Sequence, residues 1–144
     1  MTPMSDRAFV DTNIWVYTVD AADATRRRRA LEVVGPASAY ELVLSTQVLA
    51  EFYAVVTRKL DTPLAPTAAR ALATQMATFA VVSVDAPLVL SAIEAGAAWG
   101  ISVWDALIVR AAEIAGCAIL LTEDLADGGT YGSVRVVNPL REAS

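Results

Sequence analysis

Histidine is absent from this sequence, and cysteine and lysine occur once each. Without imidazole, acid–base or ligand chemistry falls to carboxylates. Cys117 has no partner for an internal disulfide, and its place in the apolar run CAILL fits a buried thiol acting as a small hydrophobe rather than a redox group. No uncharged apolar stretch approaches the roughly eighteen residues that span a bilayer. The opening MTPMSDRAFVDTN also lacks the basic segment and long apolar run of an export signal, so a cytoplasmic location is expected. Repeats and low-complexity tracts are missing too. Positive charge is scarce: the net charge is −5 and the pI ≈ 4.6, which argues against a general nucleic-acid binder while leaving room for a local basic groove.

What is present is chiefly apolar. Of 144 residues, 56% are hydrophobic and 19% charged, the composition of a compact core and of one domain over residues 1–144. Apolar runs alternate with helix-length amphipathic segments, an α/β rhythm. Strands are predicted at Ala8 to Val10, Leu42 to Leu44, Ala80 to Val84, Ala118 to Leu121 and Val134 to Val137. Helices are predicted at Ile14 to Thr18, Ala21 to Val34, Thr46 to Lys59, Thr67 to Thr78, Pro87 to Trp99 and Val103 to Ala115. The strands are solidly apolar rather than alternating, as in parallel sheets covered on both faces. The expectation is a mostly parallel sheet of four or five strands, with its site at the C-terminal strand ends.

Acidic residues recur at that edge. Asp11 ends the first strand, Glu51 lies two turns into the helix after the second, Asp105 opens the helix VWDALIVRAAEIAG, and Asp124 follows the fourth strand in LLTEDL. Each also has a local reading. Asp11 is a good N-cap for the next helix, Glu51 an ordinary surface glutamate, and Asp105 part of a capping box S-x-x-D with Ser102. Glu123 competes with Asp124, and spacing does not separate them. Charges about 5 Å apart repel by about 3 kcal/mol at an effective dielectric near 20, so a converged cluster needs protonation or a cation. An all-oxygen donor set with no histidine or thiolate suits Mg²⁺ or Mn²⁺, which can deliver an activated water to a phosphodiester.

The ordered segments FVDTN, QVLAEFYAV, SVWDALIVRAA, LLTEDL with Gly128 following, and VRVVNP resemble the PIN-domain ribonucleases, in particular the VapC toxins of bacterial toxin–antitoxin pairs. The resemblance runs from Arg7 to Pro139, with Leu140 standing where an aromatic is common in that family. It implies a PIN-like three-layer α/β/α sandwich and a Mg²⁺- or Mn²⁺-dependent endoribonuclease that hydrolyses RNA. It further implies catalytic and metal-binding roles for Asp11, Glu51, Asp105 and Asp124, with Asn13 and Thr122 as supporting polar residues. A homodimer is implied as well, held inactive by a VapB-like antitoxin whose tail lies along the site.

Few cations are available to hold RNA phosphates. Arg26 to Arg29 are consecutive, so on a helix they sweep about 300° and form no single basic face. Arg28 is expected to pair with Glu32, leaving Arg26 and Arg29 as candidate RNA contacts. Trp15, Trp99 and Trp104 sit in apolar helical patterns and are expected in the core. The rival reading is a catalytically idle PIN-like module that binds RNA or a protein partner. An aspartyl-phosphate receiver would carry a second acid where Asn13 stands.

Overall fold

The computed structural model describes residues 6–141. The reading of the opening segment as no export signal rests partly on residues 1–5, which lie outside the described residues. In chain order the elements are β1 (Arg7–Val10), α1 (Thr12–Tyr17), α2 (Ala24–Val34), β2 (Glu41–Ser45), α3 (Thr46–Arg58) and α4 (Pro66–Met76). They continue with β3 (Ala80–Val82), α5 (Ala86–Trp99), α6 (Val103–Ile114), β4 (Ile119–Leu121), β5 (Thr130–Tyr131) and β6 (Val134–Val137).

The sheet order is β3-β2-β1-β4-β6-β5. Every pairing is parallel except β5 with β6. The mostly parallel sheet flanked by helices agrees with the sandwich expected from the sequence; the sixth strand, β5, is only two residues long and too short to leave an apolar run. Central strands are buried beyond the exposed first residues Arg7 and Glu41: Phe9, Leu44 and Leu120 are fully enclosed, which is why their sequences do not alternate. Cys117 is buried beside them, and burial pushes its thiol up to about 11, as befits a core residue.

Local signals set the helix starts. Asp23 accepts from Arg26 N at 3.0 Å and opens α2 at Ala24, three residues later than the apolar pattern suggests. Ser45 caps α3 and Asp85 caps α5 in the same way. Helices α5 and α6 cross at 114°, and Gly100 in the left-handed region ends α5 before the turn. The crossing is close because Gly96 has no side chain: a Cβ there would stand 3.1 Å from Ile101 O and 3.3 Å from Ala106 Cβ. Gly96→Val should therefore lower stability by about 1–3 kcal/mol, read as a lower urea midpoint with unchanged slope. No single helix among the described residues is long and apolar enough to cross a membrane.

Candidate functional site

Parallel register places Val10 opposite Leu121, so the next residues, Asp11 and Thr122, leave adjacent strands side by side. The ladder runs on past both strands: Asp11 N donates to Leu121 O at 3.0 Å and Thr122 N to Val137 O at 3.1 Å. Both side chains are buried. Asp11 Oδ1 accepts from Thr12 N at 2.7 Å, and Oδ2 accepts from the Thr122 hydroxyl at 2.8 Å. Asp11 thus caps α1, so that helix begins at Thr12, two residues before the apolar pattern starts. Its chemistry is nonetheless unusual. Burial raises its carboxyl to about 7, against the pull of the Thr122 and Thr12 hydrogen bonds and with a smaller push from Asp124 and Glu51.

The other acids are held by neighbouring donors. Thr12 Oγ1 donates to Glu51 Oε2 at 3.0 Å, and Gln47 Nε2 donates to Glu51 Oε1 at 2.7 Å. Asn13 Nδ2 donates to Thr122 Oγ1 at 3.0 Å and to Asp124 Oδ2 at 2.9 Å, while Asn13 Oδ1 accepts from Glu123 N at 3.4 Å. One amide therefore fastens the loop after β4 to the first turn of α1. Asp105 is half-buried at the start of α6, where its N–H donates to Ser102 Oγ at 3.1 Å. Burial raises its carboxyl; the Ser102 hydroxyl opposes this, and the charges of Asp124 and Glu51 add to it.

The two acids of TEDL meet different neighbours. Asp124 is the one whose charge is felt at both Asp11 and Asp105. Glu123 turns the other way: Tyr17 Oη donates to its Oε1 at 2.6 Å, and Arg26 Nε lies 3.8 Å from its Oε2. Arg26 also pairs with Asp23 at 2.7 Å and covers the Tyr17 ring. Arg29 Nη1 donates to Leu140 O at 2.7 Å. Among the described residues Arg28 and Glu32 form no ion pair, contrary to their helical spacing; exposed pairs of this kind gain too little to hold two long side chains in place.

The strand-end acids, then, do converge on one edge, but not as a ligand set. Among the described residues no three acids, cysteines or histidines come together as a group that could hold a metal ion. Hydroxyl and amide donors take carboxylate oxygens of Asp11, Glu51 and Asp124, and burial, more than the neighbouring charges, raises the Asp11 carboxyl. This overturns the expected four-carboxylate Mg²⁺ or Mn²⁺ site of Asp11, Glu51, Asp105 and Asp124. The expected cofactor falls with it, as does the reading of the chain as a metal-dependent endoribonuclease.

What remains is a cleft of ≈ 300 Å³ lined by Thr12, Asn13, Tyr17, Glu51, Glu123 and Asp124, among others. Next to it, Gln47 Nε2 also reaches Trp104 O at 3.4 Å. Trp104 is 64% exposed, whereas Trp15 is buried with its indole N–H donating to Val10 O at 3.1 Å, and Trp99 is half-buried. The expectation that all three tryptophans belong to the core fails for Trp104, which lies off the buried stripe that begins at Ala106. Thr12, Gln47 and Tyr17 are site residues that the sequence did not single out. Only the spacing of Gln47 four residues before Glu51 could have hinted at one of them.

A PIN domain profile matches residues 8–126. No curated protein matches the chain. Among solved structures it resembles VapC20 of Mycobacterium tuberculosis, described as a sarcin-ricin loop cleaving toxin, at 26% identity and a TM-score of 0.62, over 89% of this chain and 98% of that one. It also resembles a toxin-antitoxin complex from Klebsiella pneumoniae (17%, TM-score 0.65, covering 92% and 97%). VapBC2 from Rickettsia felis, bound to a DNA fragment from their promoter, is similar again (15%, TM-score 0.59, covering 90% and 96%). At those identities the last two speak for the fold alone. The chain belongs to the PIN-domain family and resembles its VapC-type toxins.

Proposed function

We propose that this PIN domain acts as a binding module for a protein partner of the antitoxin kind, gripping a cationic side chain of that partner in the acid-lined cleft. The observation that carries the reading is that, among the described residues, Glu51, Asp105 and Asp124 meet at one edge and none of them makes an ion pair. An arginine or lysine entering about 5 Å from one of these carboxylates gains about 3 kcal/mol per contact at an effective dielectric near 20. A phosphate backbone meets the opposite sign. The net charge of −5 and the engagement of Arg26 by Asp23 and Glu123 favour protein over RNA within the rival reading. The resemblance to VapC-type toxins of toxin–antitoxin pairs supports the same class of partner. A cytoplasmic homodimer, as the resemblance implies, belongs to this reading; sedimentation at twice the 15.2 kDa chain mass checks it.

The test is to co-express the full chain with the product of the reading frame directly preceding its own and to measure copurification. The second arm uses an arginine-bearing fluorescein-labelled peptide in anisotropy titrations. Glu51→Gln combined with Asp124→Asn should weaken peptide binding at least about tenfold, and binding by the parent should fall with added salt. Unchanged affinity in the double variant, or tighter binding of a labelled 20-nucleotide RNA than of the peptide, overturns the proposal.

A further inference from the structure

The loop after β4 carries two successive acids, Glu123 and Asp124, and α1 meets each with its own donor. Asn13 and Tyr17 stand four residues apart and so share one face of α1. Asn13 Nδ2 donates to Asp124 Oδ2 at 2.9 Å, whereas Tyr17 Oη donates to Glu123 Oε1 at 2.6 Å. Burial, then the Glu123 carboxylate, push the Tyr17 phenol up to about 12, so its hydroxyl stays a donor at ordinary pH. Arg26 completes the arrangement from α2: Nη1 is 2.7 Å from Asp23 Oδ2, the guanidinium lies 5.7 Å from the Tyr17 ring centre, and Nε is 3.8 Å from Glu123 Oε2. That last contact is long and open to solvent, and holds little by itself. The short bond from the phenol to a carboxylate is the stronger one.

We infer that Tyr17 is a positioning residue that sets how acidic the cleft is: its hydroxyl keeps the Glu123 carboxylate turned toward Arg26, and without it Glu123 joins Glu51 and Asp124 as an acid open to a cation. The inference rests on the proposed binding function and adds what fixes the charge of that site. Its role differs from ordinary packing in ways the structure makes plain. Tyr17 and Glu123 both line the cleft, so a released carboxylate has open space to enter. The charges that push on Asp11 and Asp105 are those of Asp124 and Glu51, as expected if Glu123 faces away. The loop itself is fastened without Tyr17: Glu123 N donates to Asn13 Oδ1 at 3.4 Å, Asp124 N to Thr122 Oγ1 at 3.1 Å, and Thr122 N to Val137 O at 3.1 Å. Tyr17 therefore governs where one side chain points and not whether the loop is in place.

The experiment uses the full chain and a fluorescein-labelled Gly/Ser peptide bearing one arginine, titrated by anisotropy. Tyr17→Phe removes one oxygen, changes no charge and keeps a ring beneath Arg26. It should tighten the peptide about threefold, the size of one exposed ion pair, and make binding fall more steeply with salt. The same substitution in a Glu123→Gln background should bring no gain, because the gain belongs to the released carboxylate. Circular dichroism should be unchanged in every variant. A crystal structure of Tyr17→Phe reads the event without peptide: the Glu123 carboxylate should leave Arg26 and point into the cleft. If Tyr17→Phe lowers the affinity or leaves it alone, if the gain persists with Glu123→Gln, or if the carboxylate keeps its parental place, the inference is overturned while the cleft reading stands. If the parent binds no arginine peptide, the cleft reading itself has failed, and the crystal structure alone decides whether Tyr17 holds Glu123.

Discussion

Truncating Phe52 to alanine should destabilise the protein by about 3–5 kcal/mol, enough to unfold a substantial fraction of a domain of ordinary stability. Phe52 is 1% exposed and sits on the buried face of α3 with Val48 and Val56. A cavity of ≈ 170 Å³ already lies against it, bounded also by Trp15, Leu72, Met76 and Phe79. Removing the ring enlarges an existing void, and the surrounding wall includes the Trp15 indole, which is anchored to Val10 O and cannot swing in without losing that bond. Collapse is hindered, so the loss falls toward the upper end of the range. The functional consequence follows from chain order: Gln47 and Glu51 belong to the same helix, and loosening it loosens the wall of the acidic cleft that Glu51 forms. Urea denaturation should show the lower midpoint, and a loss below about 1 kcal/mol would mean that α3 is not held to the sheet through this ring.

The parts of this structure that were legible in the sequence are those governed by periodicity. Solid apolar runs such as AFV, LVL and AILL become central parallel strands because both faces are covered, and strand order then brings Asp11 and Thr122 to one edge. Asn13 was legible as a neighbour of that edge, and its place in the structure follows from lying two residues beyond a strand end. The remaining features depend on decisions made over single ångströms. Whether several carboxylates face a common point or are each taken by an adjacent hydroxyl or amide is settled by rotamers of Thr12, Asn13 and Gln47, and those residues carry no periodic signal. The metal expectation failed there, even though convergence on one edge was readable. Trp104 illustrates the other blind spot: an apolar residue in an apolar helix reads as core, and only the packed direction of α6 reveals that it faces outward.

Asp11 carries the second large effect, and its sign can be worked out. The carboxyl is raised from 3.8 to about 7 by burial. A group raised on folding contributes stability that is fully present below its unfolded value, near pH 4, and is lost as pH rises through about 7. A shift of about three units corresponds to about 4 kcal/mol between those limits. The measurable quantity is the difference between the parent and Asp11→Asn, because the amide does not titrate and the rest of the chain is common to both. Geometry limits what the amide recovers. The Thr122 oxygen receives hydrogens from Asn13 Nδ2 and Asp124 N, so its own proton must go to Asp11 Oδ2. Thr12 N meanwhile needs Oδ1. An asparagine has one oxygen for these two donors and loses one bond, worth about 1 kcal/mol. The Asp11→Asn protein should accordingly be slightly less stable than the parent at pH 4 and more stable, by about 2–3 kcal/mol, at pH 8. Urea titrations at pH 4, 6, 7 and 8 provide the curve. Profiles that stay parallel across that range would show that Asp11 is ionised in the folded chain well below pH 7, and that burial at the strand edge does not hold its proton.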